Sequence, residues 1–585
     1  MDKIILTNED INTFNWNLIN NDIICTSGHF ELDSQSVKMD VQAHRYLTDL
    51  IAKIAKARGE ADDNLYPYRY YNDKKRLLDS LSPSDIEALK LIGPNITDPV
   101  LSGRIYDIIW LKSKPRDKTD AQKAIESYKK VHTTPDNFYI ATRFCLARAI
   151  ALVSMFRDSK SRHEIESILC SLLEKHHHDL EFYYQLLNFC DYYSLTTKDD
   201  HDVAIYCFET YERALCEQQY DLARRYCKLA EKKFKSLKDT DNANLAIKKQ
   251  ADAWRIEAES RSDNLIFVSN ELYGNAIQTY LKIPNSHRSQ DTLSAIESCK
   301  LKRQKQSEPA ISQLPTFSDT QDVSDLANLA IDTVKNKSSV QHAISAFCGL
   351  PTAINKEHLI KMMETSRTEC SFLEIFGGVF MAQDGRVVAH THPQNLDAPV
   401  TEHNLMDLTM FSHTVQHNVS LIVQGMIIPA LHKLNEEHHI DGALLRDFCE
   451  QAPLIDSDRT GLTSKALLAG FNLDFDLANH VLVPQIEHFV RSSLKKNDVV
   501  IHTSEQDNTE ELSTLNYMLF SIDSKETFEE NLLFEMQVLF GDKKGFNARN
   551  DLAHGVLNDG MSMSTTAVYI WWRYLKLCLG SIFME

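Results

Sequence analysis

The stretch Phe540-Gly541-Asp542-Lys543-Lys544-Gly545-Phe546-Asn547-Ala548-Arg549-Asn550-Asp551-Leu552-Ala553-His554-Gly555 gathers the side chains that metal-free RNA cleavage requires. That reaction needs a base for the 2′-hydroxyl proton, an acid for the 5′-oxygen and a fixed cation on the phosphorane. Histidine suits the proton transfers near neutral pH, and the planar fork of arginine suits the phosphate. Arg549 and His554 are the candidates for these roles, with Asn550 orienting the imidazole or the phosphate. Lys543 and Lys544 supply local positive charge for substrate. The spacing predicts a helix over Asn547 to Leu557, on which five residues turn through about 500° and set the two Cβ directions ~140° apart. A long arginine side chain spans that gap. One chain carries one such histidine, so pairing two chains is the simplest way to supply both proton-transfer groups.

The elements that must hold this segment are helical. Apolar spacing predicts helices over Leu405 to Asn435, Asp441 to Cys449, Asp476 to Lys496, Glu510 to Phe520, Thr527 to Phe540 and Thr565 to Ser581. Pro484 should kink the fourth-last of these patterns, Asp476 to Lys496, or mark where it restarts. Glu487 and Arg491, one turn apart, fit an intrahelical pair or the lining of the same groove, where Arg491 would contact substrate; Gln485 fits a core amide. Asp384-Gly385, between Phe376 to Gln383 and Arg386 to His390, predicts one small hairpin with a two-residue turn.

Helix starts recur upstream at Ser82-Pro83-Ser84-Asp85, Asp98-Pro99 and Thr119-Asp120, and apolar periodicity continues in short hairpins to about residue 303. Ala124 to Tyr128, Ala223 to Cys227 and Ala276 to Pro284 look like degenerate tetratricopeptide-type helices without a strict period. Such an array makes a long surface suited to a protein partner. The expected organisation is an all-α chain: an N-terminal segment over 1–36, with a short strand around Asp22 to Thr26; a helical-repeat region over 37–303; a linker over 304–325; a connecting helical domain with the hairpin over 326–455; and a helical bundle over 456–585.

The C-terminal block resembles the HEPN superfamily, whose ribonuclease members carry an Arg and, after four to six intervening residues of which the first is polar, a His; Arg549-Asn550 and His554 match. The whole region from Asp456 to Ile582 looks like a family with a Gly-x-Asn-x-Arg-Asn-x-x-x-His-Gly block, found also in endoplasmic-reticulum membrane-associated RNA degradation proteins. Its upstream signature is similar to Asn479-His480-Val481-Leu482-Val483-Pro484-Gln485-Ile486-Glu487, followed by Arg491. The resemblance implies a HEPN-type bundle, metal-independent endoribonuclease chemistry by 2′-hydroxyl attack, and a homodimer with a composite site. By family analogy it also implies a bacterial toxin or antiphage effector. The alternative is a non-catalytic dimeric scaffold or RNA-binding protein with a structural bundle. Arg157 with His163 and Arg386 with His392 have comparable spacing. Only Arg549 has the adjoining Asn, the flanking glycines and the upstream Pro-Gln-Ile-Glu.

Composition narrows the rest. With 82 acidic against 63 basic residues the net charge is -19, so any RNA contact must be local. The first residues show no basic flank with a long apolar core, and the 12 cysteines contain no C-x-x-C pair; both fit a cytoplasmic chain with buried thiols. Thr565 to Phe583 is the most apolar window, but Arg573 and Lys576 within it predict a core helix, not a membrane span. His413 and His417 have a ligand spacing but lack the adjacent Glu of a zinc hydrolase, and His176-His177-His178 falls in a turn, so no metal and no cofactor is expected. No phosphate loop, Rossmann fingerprint or nucleophile elbow is present, which removes support for an ATPase, a dehydrogenase or a serine hydrolase.

Overall fold

The computed structural model describes residues 6–19, 41–59, 68–69, 77–262, 265–312, 320–369, 371–382, 384–504 and 509–582. The strand expected at Asp22 to Thr26 lies outside them. The fold is all-α, with three two-stranded antiparallel pairs among the described residues. The chain forms two compact units, Met1–Arg303 and Gln304–Glu585.

The first unit is a helical repeat. Ser82 caps Pro83–Ile92 in a reciprocal box with Asp85, and Asp98 caps Pro99–Lys112 through the Leu101 N–H at 2.7 Å. These are the patterns that satisfy the unpaired amides of a helix start. Further along, helices Asp200–Cys216, Tyr220–Ser236, Thr240–Arg261 and Ile266–Leu281 each pack against the next. Their turns are short without glycine. Gln218 and Lys238 take left-handed φ values of 58° and 60°, and the next amide donates back to Ala214 O at 2.8 Å and to Phe234 O at 2.9 Å. Asp239 then caps the following helix at once, through the Asn242 N–H at 3.1 Å. Closing one helix and opening the next within three residues fixes neighbours side by side. Helices Pro99–Lys112, Lys118–Lys129 and Arg143–Phe156 share a buried polar centre in which Arg148 Nε donates to Asp107 Oδ2 at 2.8 Å.

The second unit has one core, running from Ala330 to Leu579. The terminal helix Thr565–Ile582 is its axis: Trp571 and Trp572 are fully buried and donate to Leu467 O at 3.0 Å and Phe347 O at 3.2 Å. The charges inside this helix are used internally. Arg573 donates to Glu535 at 2.6 Å and Lys576 to Leu350 O at 2.6 Å. This helix draws on residues from both of the expected ranges, 326–455 and 456–585, which share the one core. The stretch 304–312 is not a linker, since helix Gln290–Ser312 runs through it.

Helix Thr460–Phe471 approaches the axis at Gly470, where an added Cβ would lie 2.1 Å from Trp571 Nε1. Gly470→Ala should therefore lower stability by about 1–3 kcal/mol through overpacking, despite alanine's better helix propensity. A urea midpoint equal to or above wild type would contradict this.

Several local expectations change. The span Glu510 to Phe520 is not one helix: Glu510–Leu512 pairs with His502–Ser504, and only Leu515–Leu519 is helical. Leu405 to Asn435 divides into a short turn at Leu405–Asp407, a helix Phe411–Ile422, a wider π-type turn at Val423–Ile427 and a helix Ile428–Glu437. Phe475–Lys496, by contrast, is a single helix through Pro484. The hairpin forms from Gly378–Met381 and Val387–Thr391, but its turn is longer than two residues: Gly385 N–H donates to Ala382 O at 2.9 Å and Ala382 N–H to Arg386 O at 2.8 Å.

Candidate functional site

The loop before the site is set by close backbone approach. Phe546 N–H donates to Val538 O at 2.9 Å, and a Cβ on Gly545 would stand 2.2 Å from the same oxygen, so only glycine passes there. Asn547 then starts the helix with φ 50°, a left-handed value that asparagine tolerates. Its Oδ1 accepts from Asn550 Nδ2 at 2.7 Å. The helix is Ala548–Ala553, shorter than the predicted Asn547 to Leu557. His554 closes it, and Gly555 at φ 63° turns the chain away. His554 is therefore an exposed end residue and not a helix-interior one.

Arg549 is anchored from the neighbouring helix. Its Nε donates to Glu487 Oε2 at 3.0 Å, while Arg491 Nη2 donates to Glu487 Oε1 at 2.8 Å. One carboxylate thus holds two guanidiniums, leaving the trio with a net positive charge. Arg549 Nη1 also makes a long 3.5 Å contact to Asn550 Oδ1. Its Nη2 has no hydrogen bond among the described residues. At 30% side-chain exposure Arg549 is the most open of the three; Arg491 is at 19% and Glu487 at 17%. A half-open, oriented guanidinium of this kind can take two oxygens of a phosphate.

The structure brings Arg549, Asn550 and Arg491 together, and His554 ends the helix that carries the first two. It does not join the two lysines to them by any contact. Lys544 is paired with Asp407, so its charge is largely spent. Lys543 is exposed and forms no ion pair among the described residues. Both border an open groove with Tyr517 and Phe520. Gln485 is buried and accepts from Arg459 at 3.1 Å, as expected of a core amide.

Three participants were missed from sequence. Glu487 was read as a partner for Arg491 or as lining the same groove, whereas it reaches Arg549 across 62 positions. The linked appearance of Pro-Gln-Ile-Glu and Arg-Asn was the available signal. Asn547 stands in the Gly-x-Asn-x-Arg-Asn block but was given no role, and Asp551 gave no signal. Asp551, with Ala548 and Leu552, borders a cavity of about 410 Å³ that Arg549, Asn550 and His554 do not line. Of the other Arg-to-His spacings, Arg157 sits in a left-handed turn with φ 52°, and Arg386 pairs with Asp384 at 2.5 Å beside the hairpin turn.

His413 and His417 are both exposed, and no group of three or more His, Cys, Asp or Glu stands together as a metal-ligand set among the described residues. No helix among them is long and apolar enough to cross a membrane.

The family model for a domain of unknown function, DUF7380, matches residues 1–165. That span lies wholly in the first unit and says nothing of the site. No curated protein and no solved structure matches the chain.

Proposed function

We propose that the chain is a metal-independent endoribonuclease of HEPN type, acting as a homodimer in which two copies of the Ala548–Ala553 helix form a composite site. The observation that supports this reading is the Glu487 anchor: it fixes Arg549 with one nitrogen still open, at the base of a helix whose end presents an exposed His554. Arg549 would bind the scissile phosphate, the two His554 imidazoles would take the 2′-hydroxyl proton and return one to the 5′-oxygen, and Asn550 would steady the guanidinium. Arg491 acts here by orienting Glu487. Lys543 adds charge along the approach. A cation fixed before reaction stabilises developing phosphorane charge more than a mobile one.

This chemistry leaves a recognisable product. RNA cut by the protein should carry 2′,3′-cyclic phosphate and 5′-hydroxyl ends, read by end-specific ligation after incubation in EDTA. Ends with a 5′-phosphate would overturn the proposal, because attack by the 2′-hydroxyl cannot produce them. The helical-repeat unit is proposed to hold a protein partner, and its supporting feature is the extended run of mutually packed helices.

A further inference from the structure

The cavity beside Asp551 is separate from the face that carries Arg549 and His554. Its volume of about 410 Å³ lies in the range of small-molecule sites. Five elements enclose it: the Gly378–Thr391 hairpin through Met381 and Val388, the Phe411–Ile422 helix through Gln416, the Phe475–Lys496 helix through Val483, the segment following Gly545 through Phe546 and Leu552, and the terminal helix through Ala567 and Ile570. Met381, Val388, Val483, Phe546, Leu552 and Ile570 give it an apolar side that suits a flat ring. Few charges face it. Asp476 is paired with His480 at 3.0 Å, which leaves Asp551 on the wall and Lys543 as a cation without an ion pair among the described residues. Burial pushes the Asp551 carboxyl up, opposed by the charge of Arg386, a hydrogen bond from Asn547 and the charge of His554, while Asp384 adds to the upward push. A donor brought by a ligand would relieve that cost.

A carboxylate accepts two parallel hydrogen bonds through its two oxygens. Among the RNA bases, guanine presents two adjacent N–H donors, N1–H and the N2 amine, on one edge, whereas adenine sets an acceptor where guanine has N1–H. We propose that this cavity binds a guanine nucleotide, with the ring between the apolar walls, its N1–H and N2 amine donating to Asp551, and its phosphate at Lys543. The nucleotide is either free or a guanine within RNA. The proposal does not depend on whether the chain cuts RNA, since Asp551 and the apolar walls take no part in the proposed cleavage and only Lys543 is shared with it.

The test is calorimetric titration of the full-length protein with guanosine, inosine and adenosine 5′-monophosphates, where no cleavage step enters. Guanosine monophosphate should bind about tenfold or more tightly than the inosine compound, which lacks the N2 amine, and adenosine monophosphate should bind more weakly still. Asp551→Asn, nearly isosteric, should lose at least about tenfold for guanosine monophosphate, and Lys543→Ala should weaken all three alike. A short uridine oligonucleotide with a single internal guanosine, titrated into His554→Ala in EDTA, separates the sources: binding places the guanine of RNA in the cavity, and its absence beside binding of the mononucleotide assigns the cavity to the free ligand. No saturable heat with guanosine monophosphate at millimolar concentration, equal binding of the adenosine compound, or unchanged binding in Asp551→Asn would each overturn the proposal.

Discussion

Under the proposed mechanism, Arg549→Ala and His554→Ala should each lower the rate of RNA cleavage by about 10²-fold or more while leaving the fold intact. The histidine figure is the ordinary contribution of a positioned general acid or base, about 10²–10⁴. The arginine figure is that of one preorganised charge-stabilising group, about 10²–10³. Neither substitution should unfold the protein. His554 is exposed at a helix end. Removing Arg549 still leaves Glu487 paired with Arg491 at 2.8 Å, so the loss is that of a half-exposed ion pair, up to about 1 kcal/mol. The measurement is single-turnover cleavage beside thermal melts and sedimentation of each variant. Either variant keeping wild-type rates would remove its residue from the mechanism.

The largest expected effect on stability lies in the first unit. Asp107 and Arg148 have fully buried side chains and make two parallel hydrogen bonds, at 2.8 and 3.0 Å. Tyr68 donates to the same carboxylate at 2.7 Å and lies 2.7 Å from the Tyr128 hydroxyl. Burial and then the Asp107 charge push the Tyr68 hydroxyl well above its ordinary pKa, so it stays a donor. Asp107→Ala removes the carboxylate that pairs with Arg148 and leaves a guanidinium charge in the core, at a cost of about 3–5 kcal/mol. The double replacement Asp107→Leu with Arg148→Met should cost far less, because both charges leave together. Denaturant unfolding of the two variants checks this, and an Asp107→Ala cost below about 1 kcal/mol would contradict it.

What sequence could show follows from where each signal resides. Ser82 with Asp85 and Asp98 with Pro99 are local devices, and both helices begin where those residues place them. Thr565–Ile582 was legible as a core helix because Arg573 and Lys576 are too costly for lipid, although only the structure gives their partners, Glu535 and Leu350. Glu510–Leu512 was not legible. Nothing in Glu-Glu-Leu favours a strand; its pairing comes from His502–Ser504, with His502 lying 3.5 Å from Glu510.

The site divides in the same way. Residue types and spacing pointed to Arg549, Asn550 and His554, but the helix ends at Ala553 and not at Leu557, with His554 as its cap donating its N–H to Asn550 O at 2.9 Å. The tie from Arg549 to Glu487 is a tertiary contact, invisible to periodicity. The same is true of the Lys544 pairing with Asp407, which removes one of the two expected substrate cations. The longer hairpin turn depends on the Ala382 and Gly385 backbone bonds, which the Asp-Gly pair alone does not specify.

The central claim is tested most directly by incubating the protein with labelled total RNA and tRNA in excess EDTA. The account predicts cutting that persists without metal and is lost in Arg549→Ala and His554→Ala at equal dimer content. Cutting that EDTA abolishes, or that both variants retain, would contradict it.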